Sequence, residues 1–156
     1  MNNQECLRIR DQLQYGFAGP AWHGPSIKKV LADLEASQML NATSNSHNIA
    51  ELIEHMTAWR NYAIKKLEGD ESYEVSDEEN FPPVKENTLV CWQSILGRLK
   101  ASQTRLVELL ESISDDKLLE TVPGRKYDFY ILLHGIVQHD LYHLGQIILL
   151  KKLSKE

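Results

Sequence analysis

The sequence predicts an all-α protein, a four-helix bundle with one long crossover connection, formed as a single domain over residues 1–156. Three observations carry that prediction. Apolar residues recur at three- and four-residue steps in four separate segments. Alternating runs joined by hairpin turns are scarce. A long acidic stretch containing Pro82-Pro83 separates the second long segment from the third, as a crossover between distant bundle corners requires. A chain of 156 residues buries roughly two-thirds of its unfolded surface, enough for an apolar core without a disulfide or metal staple.

The first segment is helical from Gln4 to Tyr15, after which GFAGPAWHGPS breaks it with glycines and prolines. Ser26 then caps a short piece in which Ile27, Val30, Leu31 and Leu34 keep helical spacing. Ser46 or Asn48 caps the next helix, where Ile49, Leu52, Ile53, Met56, Ala63 and Leu67 form one stripe ending near Gly69. The stretch GDESYEVSDEENFPPV reads as a long solvated connection. Leu89, Trp92, Leu96, Leu99, Leu106, Leu110 and Ile113 then repeat as a bundle seam, with Gln103 in the gap. After SDDKLLETVPGRKYD, the chain is helical from Phe129 to Leu153. Trp22, Trp59 and Trp92 are spaced for packing and are expected in the core.

A net charge of −5, with both signs interspersed, gives no basic face for nucleic acid. No apolar run approaches the ~20 residues that span a bilayer, and MNNQECLRIRDQLQYG lacks the apolar core of a signal peptide, so a cytoplasmic location is expected. Cys6 and Cys91 lie far apart without a CxxC, which favours reduced thiols. Cys91 also falls off its helix seam, which gives catalysis by a thiol little support.

The segment His139-Asp140-Leu141-Tyr142-His143 carries the functional signal. Two imidazoles four residues apart on a helix project side by side, which is metal-ligand spacing. Around Leu133, the residues Ile136, Val137, Leu141, Leu144, Ile147 and Ile148 form the arc that faces the core, and His139 and His143 lie on its border. An imidazole whose nitrogens find no partner there costs about 1–3 kcal/mol per group, a need that a divalent cation meets. Two ligands seldom suffice, and His55, at the matching border of its own stripe between Leu52 and Trp59, is the best third candidate. His23 and His47 lie in turn-rich segments as surface or capping residues, and His134 sits on the opposite border of the last helix. Glu51, one turn before His55, reads as solvated helix surface.

Asp140 makes the motif a shortened relative of HExxH, although no downstream segment supplies a third zincin ligand, so a metalloprotease is discounted. Asp140 projects into the middle of the apolar arc and must be paired there. Its open roles are an acceptor that orients an imidazole, a catalytic base acting on activated water, or a carboxylate satisfied by an indole or backbone N–H.

AWHGPSIKKVL, SHNIAELIEHMTAWR and LLHGIVQHDLYHLGQI, in that order along nearly the whole chain, resemble the DinB-like (DinB/YfiT) superfamily of metal-binding four-helix bundles. In that family a histidine late in the second-helix motif joins an HxxxH pair from the last helix, which the resemblance carries onto His55, His139 and His143. It implies an up-down-down-up bundle. Some relatives use the site for transfer or isomerisation with low-molecular-weight thiols, so the resemblance does not fix a reaction. Two readings follow. In the first, a zinc or nickel ion on three neutral imidazoles activates water or a thiol toward a small-molecule substrate, as a hydrolase or thiol transferase would. In the second, the metal clamps a non-catalytic bundle that acts as a homodimeric, stress-associated interaction module.

Overall fold

The computed structural model describes residues 2–153. Among them all regular structure is helical, including a 3-10 turn at Ala36–Gln38, and the β-type pairing is an isolated bridge between Thr121 and Asp128. Four helices are long: α1 (Gln4–Ala18), α3 (Ile49–Leu67), α5 (Leu89–Ser112) and α7 (Phe129–Leu153). Three are short: α2 (Ile27–Ala32), α4 (Asp77–Asn80) and α6 (Asp115–Leu118). No helix of the described residues is long and apolar enough to cross a membrane.

Local chemistry sets the boundaries. Ser26 accepts from the Lys29 N–H to start α2, and Thr88 does the same from Cys91 for α5. Of the two expected caps for α3, Asn48 is the one used, in a capping box with Glu51. Helix α1 runs one turn past the expected break at Gly16. Glycine inside a helix costs only about 1 kcal/mol, and the extra turn places the Phe17 ring 5.4 Å from the buried Arg60 guanidinium. The stop falls at Gly19, whose N–H reaches back to the Gln14 and Tyr15 carbonyls. A Cβ there would lie 2.7 Å from the Tyr15 ring.

Two positions depart from the expected core. Trp22 is 99% exposed, because it sits in the turn after Pro20, where no helix face turns it inward. Leu89 is also exposed, since it opens α5 before that helix meets its neighbours, and the seam begins at Trp92.

The core consists of two apolar clusters. One gathers Ile27 to Leu34, Ile49 to Met56, Trp92 to Leu99 and Leu144 to Leu150; the other gathers Cys6 to Leu13, Tyr62 to Ile64, Leu106 to Leu110 and Phe129 to Ile136. Helices α3 and α5 pass from the first cluster to the second, whereas α7 passes the opposite way. Between the clusters lies a polar layer. Arg60 of α3, 1% exposed, donates through Nε and Nη2 to both oxygens of Asp140 on α7, the shortest contact being 2.6 Å, and through Nη1 to Gln103 Oε1 on α5 at 2.6 Å. The guanidinium is thus the partner that buried Asp140 required. Burial pushes the Asp140 carboxyl up, and the adjacent Arg60 charge and its hydrogen bonds oppose that shift.

Breaking a buried pair from one side leaves an uncompensated charge, at a cost of about 3–5 kcal/mol. Arg60→Met or Asp140→Leu alone is expected to lower the unfolding free energy by that amount in urea titrations, with the double substitution recovering most of it. Equal losses in the single and double variants would contradict the account.

Candidate metal centre

The helix spacing of α7 brings His139 and His143 side by side, their rings 4.4 Å apart between centroids, and α3 supplies His55 from across the interface. His139 Nε2 lies 2.9 Å from His55 Nε2 and 3.1 Å from His143 Nε2. One ligand nitrogen from each residue falls within 4.8 Å of the others, so the three histidines are positioned to hold a metal ion. Nitrogens at about 2.05 Å from a tetrahedral zinc stand about 3.3 Å apart, close to the two shorter separations.

The outer nitrogens set the protonation pattern. His55 Nδ1 sits 2.5 Å from the Asn80 carbonyl oxygen, which only accepts, so the proton is on Nδ1 and the Nε2 lone pair faces inward. His143 Nδ1 lies 2.7 Å from Gln146 Oε1 one turn along α7, with the same consequence. Without a cation, His139 Nε2 can donate to only one of these two lone pairs, and His139 Nδ1, buried, has no hydrogen-bond partner. The donor set is therefore short of positive charge at its centre. Burial, chiefly, holds His55 and His143 below the ordinary imidazole range and His139 down to about 3, with repulsion from the neighbouring rings and Arg60 adding to the shift of His139. All three are neutral near pH 7, the state a metal ligand requires.

The connection after α3 completes the site: GDESYEVSDEENFPPV is mostly solvent-exposed and holds no buried residue, as expected, yet it is fastened to the bundle at named points. Lys66, fully buried, donates to the Glu71 carbonyl at 2.7 Å, while Arg125 reaches both Tyr62 Oη and Glu74, fastening the start of the segment. Ser76 and Glu79 then form a capping box that turns the chain back over α3. Asn80 spends its carbonyl on His55 and its side-chain oxygen on the Trp59 indole N–H, 3.0 Å away. Phe81 stacks at 3.8 Å on His55 and at 3.8 Å on His47, covering one side of the site. Glu51 is not solvated surface: it accepts from Asn48 and Val84 backbone N–H groups and faces His47 Nδ1. Asn80 and Phe81 were not foreseen; the Ser76-x-x-Glu79 spacing and a lone Phe in an acidic run were their signals.

Asp140, 3% exposed, makes its hydrogen bonds to Arg60 and none to an imidazole. His23 is exposed in the turn before α2, and His134 packs on Tyr130, 4.0 Å from Glu5. A cavity of about 240 Å³ lined by Trp59, Tyr127, Ile131, Leu132, Gly135, Ile136 and His139 opens beside the His139 ring.

A family model described as the DinB superfamily matches residues 22–147, a span that includes all three histidines. No curated protein and no solved structure gave a significant match.

Imidazoles held neutral in the folded chain but free to protonate when unfolded make stability fall in acid. Their contribution is whole above the ordinary value of 6.5 and is lost as the pH falls from there toward about 3, where His139 protonates. With metal chelated, unfolding free energies from urea titrations are expected to drop between pH 7.5 and 5 by up to about 1.4 kcal/mol per pH unit for each proton taken up on unfolding. The His139→Gln variant should show a shallower slope, and an unchanged slope would count against the neutral ring.

Proposed function

The chain belongs to the DinB superfamily, and from that premise we propose that it is a metalloprotein whose divalent ion, zinc or nickel, is held by His55, His139 and His143. The observation that carries the reading is the convergence of three neutral imidazoles whose inward nitrogens cannot satisfy one another. Histidine suits several first-row metals, which is why two are named. The fold reading that goes with it is an up-down-down-up four-helix bundle. In it, α3 and α5 run alike, α7 runs oppositely, and the segment between α3 and α5 is the crossover, as the order of the core clusters supports.

In this reading the protein is an enzyme acting on a small molecule in the cytoplasm. A divalent ion at this point supplies Lewis acidity, which makes a water or thiol proton easy to remove near neutral pH. The chain's own residues do the rest. The Asn80 carbonyl and Gln146 Oε1 hold the protons of His55 and His143 on their outer nitrogens, so the inner ones stay available. Phe81 shields the His55 ring from water. Trp59 and Ile136, in the cavity beside His139, accept the apolar part of the substrate; at about 240 Å³ that space suits a molecule smaller than most drugs. Asp140 acts as a positioning residue rather than as the base: it anchors Arg60 and places a fixed negative charge one turn before His143.

A second reading keeps the metal without catalysis, as a clamp between α3 and α7. The burial of His55 and His143, each 6% exposed, and the aromatic cover favour it.

Elemental analysis of protein purified without a polyhistidine tag is expected to find close to one divalent ion per chain, lost in His143→Ala and in His55→Ala. Metal-free protein of undiminished stability would end the proposal. Cobalt substitution separates the two readings. An open site changes its visible spectrum on adding azide or a small thiol, whereas a clamp does not and instead loses much of its melting temperature on chelation.

A further inference from the structure

A cavity of about 760 Å³ lies away from the histidines, in a groove between α1, α2 and α5. Its volume falls within the usual range of small-molecule sites, and its walls are mainly apolar, with Phe17, Leu96 and Val107 among them. Gln103 lines it. That residue is 6% exposed; its Oε1 accepts from Arg60, and among the described residues its amide nitrogen has no hydrogen-bond partner. That nitrogen keeps some exposure at the groove wall, so it is free to donate to an acceptor bound there. The charges at the rim agree. Lys28 and Lys100 both line the groove, and neither pairs with a carboxylate among the described residues, whereas Glu108, the acid on this wall, faces Arg105 at 3.2 Å. Two unpaired ammonium groups and one amide donor, with no arginine fork, suit a singly charged anion better than a phosphate.

We propose that this groove is a second ligand site, one that takes an amphipathic carboxylate. The apolar body lies along Phe17, Leu96 and Val107, and the carboxylate lies between the Gln103 amide and the ammonium groups of Lys28 and Lys100. The site is independent of the metal reading, because α1, α2 and α5 carry none of the three histidines.

Decanoate, 1-decanol and decylammonium, each titrated into the full chain with metal chelated, test it by amide NMR and calorimetry. Decanoate is expected to bind saturably and most tightly, shifting amides of α1, α2 and α5 rather than those beside the histidines. Lys28→Glu with Lys100→Glu, both exposed positions, should weaken decanoate about tenfold, close to 1.4 kcal/mol, while leaving 1-decanol unchanged. Thr104→Trp, an exposed groove position, should block both. Decylammonium binding as tightly as decanoate, shifts confined to α7, or full decanoate affinity in the Thr104→Trp variant would overturn the proposal.

Discussion

The ion pair between Arg60 and Asp140, sealed between two apolar clusters, is the constraint around which the rest of the molecule is arranged. A buried guanidinium has five donors and no neutral form, so it must be met by acceptors at fixed positions. Those acceptors come from α7 and α5, and Phe17 of α1 packs against its face. One side chain therefore ties the registers of four helices together. Asp140 lies between His139 and His143, and Arg60 lies five residues after His55. Registering the pair thus also registers the three imidazoles. A slip of one residue along α7 would move that helix's histidines by about 1.5 Å and turn them by about 100°, out of reach of His55.

The histidine site and the crossover segment divide the work between them. Helices α3 and α7 aim the inner nitrogens at one another, while Asn80, in the short helix of the connection, and Gln146, on α7 itself, hold the outer protons. Phe81 supplies the lid by stacking between His47 and His55. The same buried network touches the groove on the far side, where Gln103 gives its oxygen to Arg60 and lines the cavity.

Much of this was legible in the residues. Two imidazoles at i and i+4 on the border of an apolar arc fix their own neighbourhood, and the matching position of His55 made it the natural third member. The burial of Asp140 followed from its place in that arc, as did its need for a partner. Which partner could not follow: Arg60 lies 80 residues away, on a helix whose rotation against α7 is set only by packing. The acidic connection is solvated as expected, but its attachment to the bundle was not legible. Charge and proline described its backbone accurately as non-helical over most of its length, yet Lys66, Arg125 and a capping box pin it down, and those partners come from elsewhere in the chain. The expectation for Trp22 failed, since a large aromatic residue in a turn has no helix face to bury it.

By itself, then, the sequence determined the helical class, the helix limits to within a turn or so, and the pairing of His139 with His143. Each of these depends on interactions between residues a few positions apart. The tertiary structure alone decided that His55 meets that pair, that Arg60 neutralises Asp140, and that Asn80 and Phe81 close over the site. Those contacts depend on how one helix is rotated and shifted against another, a choice made by the packing of the whole core and by the need to pair the buried Arg60 and Asp140 charges.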